Sequence, residues 1–111
     1  MAQTDPNGNP TNGINRVNLG QASWLRTGIQ GTVKPTTQWN PNEYLNMWSV
    51  RFGGGDAGIL GYAQFPDASG LPGLNATGGA ANTDGVVMAF SAFGSSDIYP
   101  AGTYSAPYDK G

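Results

Sequence analysis

From Tyr44 to Phe52 the chain alternates between two sets of side chains, with Leu45, Met47, Ser49 and Arg51 on one side and Tyr44, Asn46, Trp48, Val50 and Phe52 on the other. A period of two with β-favouring residues predicts a strand, and large apolar groups on both faces predict that it is central. The run Ile59-Leu60-Gly61-Tyr62-Ala63-Gln64-Phe65, bracketed by Gly58 and Pro66, predicts a second strand at a sheet border. Val86 to Phe93 is a short apolar run of the buried-strand type. Gly13 to Val17 alternates more weakly, as a short half-exposed strand would. Trp24, Leu25 and Ile29 stand at helical spacing, but Gly28 and Gly31 interrupt the pattern and limit it to about one turn over residues 21–30.

Between these elements lie turn formers. Residues 5–13 are nearly all Asp, Asn, Gly, Pro and Thr, residues 53–58 are glycine-rich, and residues 66–85 make a long Gly/Ala/Pro/Asn connection of the kind that in a compact domain carries function or is disordered. The expected fold class is α+β: a mixed β-sheet with long Gly/Pro-rich loops and little helix, leaving at least one sheet face without a helix to cover it.

Composition narrows the function classes. The 111 residues include 18 Gly and 8 Pro, which excludes long helices, while 38% hydrophobic and only 11% charged residues exclude the disordered class. A net charge of -2, with Arg16, Arg26, Lys34, Arg51 and Lys110 scattered singly, leaves no basic stripe for nucleic acid. No apolar run is long enough to span a membrane, and the polar start is not a signal peptide. The absence of His and Cys removes Ser-His-Asp and Cys-His relays, disulfides, and the nitrogen and sulfur ligands of zinc.

Local motifs are thin. Gly53-Gly54-Gly55 lacks the ending of a phosphate loop, and Asp5, Asn7 and Asn9 lack the closing Glu of a calcium loop, so a turn is the better reading of each. Glu43 is the only Glu, and spacing pairs it with no Asp. Asn75-Ala76-Thr77 is a glycosylation sequon. Trp24, Trp39 and Trp48 suit core packing better than a carbohydrate platform.

Four blocks in order carry a resemblance: Asp5 to Arg16, then Trp39 with Tyr44-Leu45-Asn46-Met47-Trp48, then Leu60-Gly61-Tyr62-Ala63-Gln64-Phe65-Pro66, then Asp84-Gly85-Val86-Val87. Over residues 5 to about 94 the chain resembles the pappalysin (cytophagalysin) family of metzincin zinc metalloendopeptidases. The resemblance implies that residues 1–111 are a partial catalytic domain, most of the N-terminal upper subdomain, ending just before the HExxHxxGxxH helix that holds zinc and the general base. It implies that no catalytic residue and no metal ligand lies in this chain, and that zinc belongs to the parent enzyme. It further implies that Leu60, Gly61, Tyr62, Ala63 and Gln64 form the edge strand that pairs with a peptide or protein substrate. The implied partners are that substrate and the remainder of the catalytic domain. The parent would be secreted, with its signal peptide outside this chain. An uncovered sheet face and an open edge add the expectation of self-association. The alternative is a non-catalytic β-rich binding module of a secreted protein.

Overall fold

The computed structural model describes residues 1–64, 79–104 and 107. Phe65, Pro66, most of the connection 66–85 and the sequon at Asn75 lie outside the described residues.

Three strands form a mixed sheet: β1 (Met47–Val50), β2 (Gly61–Ala63) and β3 (Val86–Ala89), in the order β1-β3-β2. β1 runs parallel to β3, with Trp48 beside Val87 and Val50 beside Ala89. β2 runs antiparallel to β3, with Tyr62 beside Val87. The centre of the sheet is therefore β3, not the Tyr44–Phe52 segment, whose regular part is only Met47–Val50. The burial pattern explains the exchange. Val87 and Ala89 are buried, whereas the second apolar row of the 44–52 segment stays exposed, with Leu45 at 78% and Met47 at 51%.

One face of the sheet is covered by a helical stretch, α1, longer and later than the spacing predicts. Its outer parts, Arg26–Gly28 and Lys34–Thr37, are α-helical, and its middle, Ile29–Val33, is a π-helix. Gly31 does not end it, because burial of Ile29 (0% exposed) and Val33 (6%) against Trp48, Phe52, Val87 and Ala89 outweighs the propensity cost of one glycine. Pro35 lies inside this continuous stretch and has no N–H to give the preceding turn, a loss that the burial of Ile29 and Val33 offsets. Asp56 takes up an orphan donor at the other end: the Arg26 backbone N–H donates to its Oδ2 at 2.6 Å.

Gly13–Val17 forms no strand, and Ile14 and Val17 are about half exposed, with no pairing strand among the described residues. Residues 4–10 are a hairpin turn, closed by the Thr4–Pro10 bridge and by the Asp5 carboxylate, which accepts from the backbone N–H groups of Asn7 and Asn9. These bonds hold the Asp5 carboxyl below its usual value. Trp48 is a core residue whose indole N–H donates to Thr37 Oγ1 at 2.9 Å.

Candidate functional site

The sequence-derived site residues gather on and beside β2. Among the described residues β2 has one strand neighbour, β3, and its other side is unpaired. The Ala89 N–H donates to the Leu60 carbonyl at 2.8 Å, which sets the phase of the antiparallel ladder. Leu60 and Tyr62 then turn their backbone polar groups towards β3, and Gly61 and Ala63 turn theirs outward. Gly61 is needed for close approach, and that approach is to β3: a Cβ there would stand 2.7 Å from the Val87 carbonyl oxygen. Gln64 is tied to the far end of the long connection. Its Nε2 donates to the Ala80 carbonyl, and its Oε1 accepts from Thr83 Oγ1.

Tyr62 projects to the α1 face, and there the structure holds a group that sequence reasoning missed. Lys34 is 0% exposed. Its Nζ lies 5.0 Å from the Tyr62 ring centroid and 5.4 Å from that of Trp48, and donates to the Thr83 carbonyl at 2.9 Å. One hydrogen bond and two aromatic faces are a sparse replacement for water. Burial accordingly pulls the ammonium below the usual lysine value, against a smaller upward pull from Asp84. The lysine joins α1, β1, β2 and the segment before β3 at one point.

Beyond Tyr62 an open cleft is lined by Arg26, Thr27, Gln30, Gly31, Tyr62 and Ala63. Among the described residues the Tyr62 hydroxyl and Gln30 Oε1 are both buried without a hydrogen-bond partner. Burial raises the Tyr62 phenol above its usual value, Arg26 opposes the rise, and Asp56 adds to it. Among the described residues no three His, Cys, Asp or Glu side chains come together as a metal site, and no helix is long and apolar enough to cross a membrane.

No known protein family matches this chain, and neither a curated protein nor a solved structure matches it at a significant level.

Proposed function

We propose that this chain supplies the substrate-pairing edge of a secreted pappalysin-type zinc metalloendopeptidase. The observation that carries the reading is the open side of β2, where Gly61 and Ala63 offer two N–H and two C=O groups at the border of a mixed sheet. An extended peptide added there gains main-chain hydrogen bonds that depend little on its sequence. Such a peptidase needs a substrate held straight across its metal. The residues of this chain do not fit the metal itself, because the sequence has no His and no Cys. Zinc would be held by the remainder of the catalytic domain.

Hydrogen exchange tests the pairing on the chain as it stands. A capped extended heptapeptide of alternating Thr and Ala should slow exchange at the Gly61 and Ala63 amides and leave Tyr62, already facing β3, little changed. Unchanged exchange at Gly61 and Ala63 under saturating peptide would refute the edge reading. For the parent activity, coding DNA that continues into HExxHxxGxxH is expected, and a native stop codon after Gly111 would favour the non-catalytic binding module.

A further inference from the structure

We infer that the cleft between α1 and the β2 edge is a specificity subsite for an acidic side chain of the paired peptide, an inference that rests on the edge reading above. A peptide bonded to the outward groups of Gly61 and Ala63 places one of its residues directly opposite Tyr62. In an antiparallel ladder the residue between two hydrogen-bonded pairs sits closest to its partner, and both side chains share one face. That face is the α1 face, because Tyr62 packs against the core there beneath Lys34. The side chain opposite Tyr62 is thus directed into the cleft bounded by Arg26, Gln30 and Ala63.

The chemistry of the lining selects the occupant. Arg26 is exposed, and its guanidinium forms no ion pair among the described residues. Its backbone N–H is committed to Asp56, so the residue is anchored while its charge remains available. The Tyr62 hydroxyl lacks an acceptor, and the Gln30 amide leaves its oxygen unmet. A buried polar atom without a partner is costly, so a group that supplies one at either atom binds favourably. A carboxylate accepts from the guanidinium and from the phenol together, and a turned Gln30 amide adds a third donor. An ammonium would meet Arg26 with like charge. Asp56, whose charge also acts on Tyr62, lowers the preference without reversing it, because its Oδ2 already accepts from Arg26 N–H.

The test uses the full chain and three capped heptapeptides of alternating Thr and Ala, differing only in a central Glu, Gln or Lys. Binding is read by fluorescence anisotropy at low salt. The Glu peptide is expected to bind about 5–10-fold more tightly than the Gln peptide, and the Lys peptide more weakly than either. Arg26→Met, which keeps the backbone bond to Asp56, should bring Glu and Gln within about twofold, with most of the loss falling on the Glu peptide. Tyr62→Phe should weaken the Glu peptide about threefold without lowering the melting temperature, since it removes an unpartnered hydroxyl and keeps the ring under Lys34. Equal binding of the three peptides, with protection still at Gly61 and Ala63, would overturn the acidic subsite and leave edge pairing intact. Binding of none of them would overturn both.

Discussion

Replacing Lys34 by Met tests whether a buried cation joins α1 to the sheet. Methionine keeps most of the stem and removes the ammonium. The Thr83 carbonyl then loses its donor, at a cost of about 1–3 kcal/mol for an unmet buried acceptor. The contacts over Trp48 and Tyr62 lose about 0.5–2 kcal/mol of cation–π attraction where the lysine is charged. Against these stands the desolvation of the charge, which can reach several kcal/mol for a buried ion and is the larger influence on this group. The balance therefore depends on pH. Because the folded value lies below the usual 10.5, the unfolded chain binds more protons in the window between the two. Native stability then rises as pH climbs through that window, by up to about 1.4 kcal/mol per pH unit. The lysine's charge penalty is present in full below it. The substituted methionine has no proton to exchange.

The expected cost of Lys34→Met is thus about 1–3 kcal/mol near pH 10, in the upper part of that window, and smaller below the window, where the folded lysine carries its charge. The assay is urea unfolding followed by tryptophan fluorescence from pH 7 to pH 10, with both proteins carrying Tyr62→Phe. That background is needed because the raised Tyr62 value makes the phenol lower stability as pH rises past about 10. A stability difference that stays constant across the range would refute the reasoning, since it would show that the site does not penalise the charge.

Gly61→Ala should cost about 1–3 kcal/mol in thermal unfolding, because its Cβ would stand 2.7 Å from the Val87 carbonyl and push β2 from β3. A melting temperature within about 1 °C of the parent would contradict that packing. Gly85→Ala should cost about 2–3 kcal/mol in the same assay: φ is +137°, and a Cβ would meet the Asn46 carbonyl and lie 2.6 Å from Trp48 Cζ3. The exposed apolar side chains of Leu45, Met47, Phe90 and Phe93 should make the chain associate with rising concentration, and Leu45→Lys with Met47→Lys should reduce this in light scattering. A wild-type monomer at every dilution would count against that surface.

Local patterning already determined the strand residues at Trp48, Tyr62 and Val87, the border position of β2 and the hairpin turn at Asp5. Each of these depends on alternation, or on a side chain bonding its own neighbouring backbone, and both are short-range. The sheet order was not legible, because Tyr44–Phe52 and Val86–Phe93 are similarly apolar and only the covering helix decides which one is central. Nor was the extent of α1, where glycine and proline argue locally against a helix that burial of Ile29 and Val33 then stabilises. Lys34 shows the limit most plainly. Its neighbours along the chain mark it as a surface lysine, and at α-helical spacing it would not share the face of Ile29. The wider π-helical turn, with the Lys34 N–H donating to the Ile29 carbonyl five residues back, brings it close to that face and into the core. The aromatic rings and carbonyl that receive it come from Trp48, Tyr62 and Thr83, which only the folded chain brings to one place.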